Sequence, residues 1–254
     1  MKLVVVGSGS SVPHKSRTSS GYWLETGGGS LMLDFAPSVI HRMAAEGLDW
    51  ANLSAIWISH FHLDHFGGLA PFLFATKHAP QTQSRINRQR IFGPIGLRET
   101  LSKFDAAYPY NLLIQPYSLD FIEILPQDSF EILPGIRAKV CKTPHTPESL
   151  AIRLESEEGK TLVYTSDTGF SREVAEFAAG ADLFITEASF VRNSPVKTHI
   201  SLEEALEMAR IAKPKKLLLT HFYPEWDDFD LIENTRGRLE CEIAAAEDGL
   251  KIEI

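Results

Sequence analysis

The stretch Ser59-His60-Phe61-His62-Leu63-Asp64-His65-Phe66-Gly67-Gly68-Leu69 puts four candidate metal ligands, His60, His62, Asp64 and His65, within six positions. It follows an apolar run, residues 53–58, that reads as a buried strand. Two glycines and a further apolar stretch follow, as at a helix start. In extended chain, side chains two apart share a side, so His60 and His62 can grip one ion. Where the chain turns, Asp64 and His65 can address a second. Imidazole nitrogen with carboxylate oxygen suits zinc, manganese or iron better than calcium. A histidine-rich surface loop is the alternative, and four ligands at one strand end weigh against it.

Three later residues have the same placement. His145 lies between Pro144 and Pro147 at a strand end. Asp167 closes Leu162-Val163-Tyr164-Thr165-Ser166, and His221 closes Lys216-Leu217-Leu218-Leu219-Thr220. Singly they read as a turn residue, a helix cap and a strand-end histidine.

The whole chain bounds the function. At 254 residues it has room for one large domain or two small ones, and 44% hydrophobic residues supply a sizeable core. A net charge of −8 argues against strong general nucleic-acid binding. The two cysteines, Cys141 and Cys241, form no Cys-x-x-Cys pattern, which favours a reducing compartment. No stretch reads as a signal peptide or a membrane span, so a cytoplasmic protein without a membrane partner is expected.

Residues 2–6, 22–26 and 30–34 read as strands, the last two a hairpin around Gly27-Gly28-Gly29. Residues 39–46 read as a helix stopped by Gly47, and 69–76 as a second helix. The loop Gly7-Ser8-Gly9-Ser10-Ser11 reads as a tight turn rather than an anion site. The basic run Arg85, Arg88, Arg90, Arg98 and Lys103 reads as a solvated face, with phosphate contact as its alternative. Phe104, Tyr108 and Tyr110 read as peripheral core or a cleft lining. Residues 121–125, 130–133, 136–142, 151–154 and 161–165 are five more strands. These patterns predict an α/β fold: two mixed β-sheets packed face to face with helices outside, in one domain of two similar halves, 1–118 and 119–254.

His60-x-His62-x-Asp64-His65 resembles the signature of the metallo-β-lactamase superfamily, whose fold is this four-layer αββα sandwich. The opening residues, 4–10 and 31–35, and Arg90-Ile91-Phe92-Gly93-Pro94 resemble its ribonuclease Z-like branch, although Asp34 is followed by Phe35-Ala36 rather than the branch's usual Cys-Gly. Asp34 reads equally as a residue orienting a metal-bound histidine and as a turn residue. The resemblance implies one ion on His60, His62 and His145, a second on Asp64, His65 and His221, and Asp167 bridging both. The two divalent ions would be zinc, with manganese or iron as alternatives.

Glu187 ends the strand run 181–187, and His199 precedes Ser201-Leu202-Glu203-Glu204, a capping box. Strand-end Glu followed by loop His resembles the phosphodiesterases of that branch. It implies catalytic roles for Asp64, which would hold the attacking water, for His199 as acid and for Glu187 orienting His199. The interval between His145 and Glu187 leaves no room for the tRNA-gripping arm of long ribonuclease Z enzymes. A small or cyclic phosphodiester is the expected substrate, with an RNA 3′ end as a second candidate. A thioester, lactone or aryl-ester hydrolase is the enzyme alternative, and a metal-binding interaction module the non-enzyme one. Such folds often pair, so a homodimer is among the expected assemblies. Tyr223, Glu225, Trp226, Asp227 and Asp228 read as the rim of the cleft or of an interface.

Overall fold

The computed structural model describes residues 1–254. Its strands are β1 (Lys2–Gly7), β2 (Gly21–Thr26), β3 (Gly29–Leu33), β4 (Ala55–Trp57), β5 (Gln89–Pro94), β6 (Leu119–Ile124), β7 (Ser129–Leu133), β8 (Ile136–Lys142), β9 (Leu150–Ser156), β10 (Thr161–Tyr164), β11 (Leu183–Glu187), β12 (Lys216–Thr220), β13 (Glu242–Ala245) and β14 (Lys251–Glu253). Its helices are α1 (Val39–Ala45), α2 (Leu63–Phe66), α3 (Leu69–His78), α4 (Leu97–Ala106), α5 (Arg172–Phe177), α6 (Leu202–Ala212) and α7 (Leu231–Thr235). Two seven-stranded sheets result, ordered β14-β1-β2-β3-β4-β5-β6 and β13-β12-β11-β10-β9-β8-β7.

The pairing follows one scheme in both sheets. From β14 in the first and β7 in the second, three antiparallel pairs are followed by three parallel ones. The last strand, β14, leaves the second sheet and pairs with β1.

The parallel strands explain the apolar runs. A strand covered on both faces needs no polar alternation. In β4, Ala55 and Trp57 point between the sheets while Ile56 points to the helices. In β11, Leu183 and Ile185 point inward and Phe184 outward. One core thus fills the space between the sheets. A second lies between the first sheet and α1, α3 and α4, a third between the second sheet and α5 and α6. That is the expected αββα sandwich, and it sets the carboxyl ends of β3, β4, β10, β11 and β12 along one edge, where open α/β sheets bind ligands.

Strand and helix ends differ from these expectations by at most two residues. The main difference is at the metal loop: the helix begins before the glycines, at Leu63, and breaks at Gly67-Gly68 before α3.

Candidate metal centre

His60 and His62 follow β4, and α2 carries Asp64 and His65 on its first turn. His145 follows β8, Asp167 follows β10, and His221 follows β12. The tertiary structure brings all seven together. His60, His62, His145 and Asp167 offer donor atoms to one point, and Asp64, His65, Asp167 and His221 to a second.

Asp167 stands between the clusters with one oxygen toward each. Its Oδ2 lies 3.8 Å from His60 Nε2 and 3.6 Å from His145 Nε2. Its Oδ1 lies 3.1 Å from His65 Nε2 and 3.3 Å from His221 Nε2. His62 Nδ1 is 3.0 Å from His145 Nε2, and Asp64 Oδ2 is 3.4 Å from His221 Nε2. Two ligands on one tetrahedral zinc stand about 3.3 Å apart, from metal–ligand bonds of about 2.0–2.1 Å. Three of the converging atoms, His60 Nε2, His65 Nε2 and Asp167 Oδ1, are buried without a hydrogen-bond partner. Buried polar atoms are ordinarily paired, so these three fit metal ligation.

The opposite ring nitrogens of His60, His65, His145 and His221 are engaged. His65 Nδ1 donates to Asp34 Oδ2 at 2.7 Å. His145 Nδ1 donates to the Thr198 carbonyl at 2.9 Å. Ser59 Oγ donates to Asp34 Oδ2 at 2.8 Å and so accepts from His60 Nδ1 at 3.0 Å. Ser189 Oγ donates to Glu187 Oε2 at 2.5 Å and accepts from His221 Nδ1 at 3.0 Å. In the neutral ring each bond leaves the inward nitrogen without a proton, as a ligand must be. Of the two readings of Asp34, the structure supports the orienting one: the carboxylate is fully buried and also accepts from Tyr164 Oη at 2.7 Å.

The electrostatics follow. Burial raises the Asp167 carboxyl, but His221, His65 and His60 outweigh it and hold it well below the usual carboxylate range. Burial also raises Asp64, and His221 and His65 hold it low. Burial lowers His65, yet Asp167 and Asp34 push it well above its ordinary value; His60, with burial and the neighbouring His65 both against charge, falls well below.

Asp34 (φ 58°), Ser166 (φ 56°) and His221 (φ 60°) take left-handed backbone. Each costs roughly 1–2 kcal/mol for a residue with a Cβ. Strain stored at strand tips is characteristic of working sites.

His199 and Glu187 stand beside both clusters. His199 Nδ1 donates to Glu187 at 3.0 Å (Oε1) and 3.2 Å (Oε2). Its ring stacks on His221 with centroids 5.5 Å apart. Glu187 also accepts from Thr168 N at 2.6 Å and Ile200 N at 3.2 Å, which pins the loops carrying Asp167 and His199. Burial lowers the His199 pKa, but the bond and charge of Glu187 outweigh it and raise it to about 9. Glu187, His199 and His221 could hold an ion themselves; with Nδ1 committed to Glu187, His199 has only Nε2 to offer.

The remaining candidates sit elsewhere. Arg85 is buried and donates to the carbonyls of Ala51, Leu53, Asn87 and Arg88, so it builds the fold. Arg88 pairs with Asp120, and Lys103 with Glu99. Phe104 and Tyr110 line an apolar pocket of about 390 Å³ with Phe74, Pro71 and Leu112. In the Gly7–Ser11 loop, Ser8 N donates to Asp248 at 3.0 Å, so a carboxylate holds the place an anion would take. Tyr223 reaches the site, with its ring centroid 6.3 Å from that of His221, while Trp226 is buried behind it. Ser59, Ser166, Ser189 and Tyr164 went unremarked in the sequence as site residues. Only Ser59, inside the histidine stretch, carried a usable signal.

Comparison with known proteins agrees with this fold. The family model described as Anti-Pycsar protein Apyc1 matches residues 1–241. The ribonuclease Z of Methanosarcina acetivorans is 25% identical over 310 aligned positions, covering 100% of this chain and 98% of that protein. The metallo-β-lactamase fold protein YhfI from Bacillus subtilis superposes with a TM-score of 0.81 at 24% identity, covering 99% of this chain and 98% of the other. The short form of human tRNase Z superposes at 0.79 and 21% identity, covering 100% and 99%. The chain belongs to the Anti-Pycsar protein Apyc1 family, among the ribonuclease Z-like metal-dependent hydrolases of the metallo-β-lactamase superfamily.

Proposed function

We propose that this chain is a dinuclear-zinc phosphodiesterase acting on a small or cyclic phosphodiester, with an RNA 3′ end as a second candidate. The observation that carries the reading is the Glu187–His199 pair beside both ligand clusters, at 3.0 Å. A phosphodiester expels an alkoxide and gains from an acid held there, whereas a thioester, which expels a stable thiolate, does not. His60, His62, His145 and Asp167 would hold one ion, and Asp64, His65, His221 and Asp167 the other. A donor set of five imidazoles and two carboxylates suits zinc. Bound there, the ions would lower the pKa of a water and stabilise negative charge on the phosphoryl oxygens.

The chain's own groups do the rest. Asp64 accepts a hydrogen bond from the attacking water and aims it. The water oxygen bonds phosphorus as the bond to the leaving oxygen breaks. His199, its Nδ1–H held by Glu187, gives the Nε2 proton to that oxygen. The proton lost by the water returns to His199 through solvent.

Two features favour a small substrate. The interval from Ser149 to Phe184 is filled by β9, β10 and α5, with no projecting arm. The net charge of −8 disfavours a large polyanion. The test is hydrolysis of a 3′,5′-cyclic nucleoside monophosphate, whose leaving oxygen departs as an alkoxide, by zinc-loaded protein beside His199→Ala of equal metal content. Turnover should fall about a hundredfold or more, the usual scale for a lost acid. Zinc-loaded protein inert on the diester but active on thioesters or lactones would overturn the proposal.

A further inference from the structure

Next to His199 the cleft wall is aromatic. Phe190 and Tyr223 stack with ring centroids 5.0 Å apart and 27° between their planes. The Phe190 centroid lies 6.5 Å from that of His199, and the Tyr223 centroid 6.3 Å from that of His221. Both residues are only half-buried, although each belongs to a well-packed loop.

The two rings come from different loops, one after β11 and one after β12, and those loops are bolted together. Phe190 N donates to the Ile200 carbonyl at 3.3 Å, and Leu202 N to the Phe190 carbonyl at 2.9 Å. Tyr223 N donates to the Ser189 carbonyl at 3.4 Å, which also accepts from Trp226 Nε1 at 3.2 Å. Glu225 accepts from Val191 N at 2.6 Å. The wall is therefore preformed and would not need ordering on binding, which is where affinity is otherwise lost.

Its place relative to the acid says what it would touch. The leaving oxygen receives its proton from His199, so the group attached to that oxygen emerges on the His199 side of the cleft, where the two rings stand. A flat π surface there favours a planar ring over an alkyl chain. We propose that Phe190 and Tyr223 form the binding surface for a planar aromatic or heteroaromatic ring carried by the leaving group, so that aryl or nucleoside leaving groups are selected over alkyl ones. This inference rests on the phosphodiesterase reading.

The test compares ethyl phenyl phosphate with ethyl hexafluoroisopropyl phosphate, whose leaving alcohols have comparable acidity but only one of which has a ring. A second pair, an ethyl phosphate ester of a nucleoside and that of the corresponding abasic sugar, shows whether a nucleobase serves as the ring. In Tyr223→Leu, which keeps bulk without a ring, the ratio of kcat/KM for ringed over ring-free ester should fall about fivefold or more, the scale of one aromatic pair, through KM on the ringed ester. Tyr223→Phe should restore it. Selectivity lost in the first pair alone assigns an aryl ring, and in the second a base. Equal losses on ringed and ring-free esters at unchanged metal content, or no loss, would overturn the inference while leaving the phosphodiesterase reading intact. A wild-type protein that hydrolyses none of these diesters removes both.

Discussion

Two buried carboxylates do the same job on opposite sides of the candidate metal centre. Asp34 takes the His65 ring directly and His60 through Ser59; Glu187 takes the His199 ring directly and His221 through Ser189. Removing the charge of Asp34 loosens His65 and His60 together, one ligand of each cluster. Asp34→Asn should weaken zinc binding about 10- to 100-fold, the usual effect of losing a partner behind a metal-bound histidine, measured by competition with a chromophoric chelator. Unchanged affinity would make Asp34 a turn residue after all. On the other side, the pKa of His199 is raised from 6.5 to about 9 chiefly by Glu187. A general acid works only while protonated, so kcat should hold at neutral pH and decline as pH rises toward about 9, with nearby metal ions moving that limb downward. In Glu187→Gln the carboxylate charge that chiefly supports the imidazolium is gone while burial still opposes it, so the limb should shift to lower pH by at least about one unit, read from a kcat–pH profile. The stability sign agrees: the protonated pair contributes fully below pH 6.5 and is lost as pH rises through about 9.

The elements that hold the site meet at backbone contact distance. The chain after β3 is zipped to the metal loop, with Phe35 N donating to the His65 carbonyl at 2.5 Å and Gly68 N to the Phe35 carbonyl at 2.8 Å. Gly68 lets that approach happen: a Cβ there would stand 2.2 Å from the Ala36 carbonyl oxygen. Backbone cannot swing aside as a side chain can. Gly68→Ala should therefore push α3 and the metal loop away from Asp34. We expect a loss of about 2 kcal/mol or more, seen as a lower denaturation midpoint, together with weaker zinc retention. A variant equal to wild type in both would show that the loop relaxes freely. At the start of α6, Ser201 and Glu204 form the capping box legible in the sequence, and this fixed helix start sets the path of the preceding residue pair, Thr198 and His199.

Across the whole molecule, the candidate metal centre is a seam between the sheets. His60 and His62 come from the first sheet's edge, and Asp167 and His221 from the second's. Tyr164 in the second sheet reaches Asp34 of the first, and Tyr22 in the first reaches Thr220 of the second at 2.6 Å. Ions shared across this seam would tie the sheets together. At a free concentration a hundredfold above Kd, each ion adds about 2.7 kcal/mol. A chain of this size moves roughly 2–4 °C in Tm per kcal/mol. Chelation should therefore lower Tm by about 5 °C or more, reversed by added zinc, in a calorimetric scan. An unchanged Tm would mean that the clusters hold no ion in solution.

The histidine stretch announced both the fold and four of the seven candidate ligands, because local spacing suffices to bring side chains from adjacent positions onto one point. The apolar runs at β4, β10, β11 and β12 marked the buried strands, because strands covered on both faces need no alternation. His145, Asp167 and His221 were visible only as strand ends, and nothing local says which strand ends meet. Their convergence depends on the parallel order of the strands and on two sheets facing each other. The partners that aim the imidazoles lie deeper still. Ser189 and Tyr164 are ordinary residues in the chain, and they matter because folding puts them within hydrogen-bonding distance of His221 and Asp34. Arg85 shows the opposite case: its basic run read as a solvated face, and packing turned the guanidinium inward onto four carbonyls. Residue types and short-range spacing are written along the chain, whereas the distances on which chemistry depends are set between segments far apart in it.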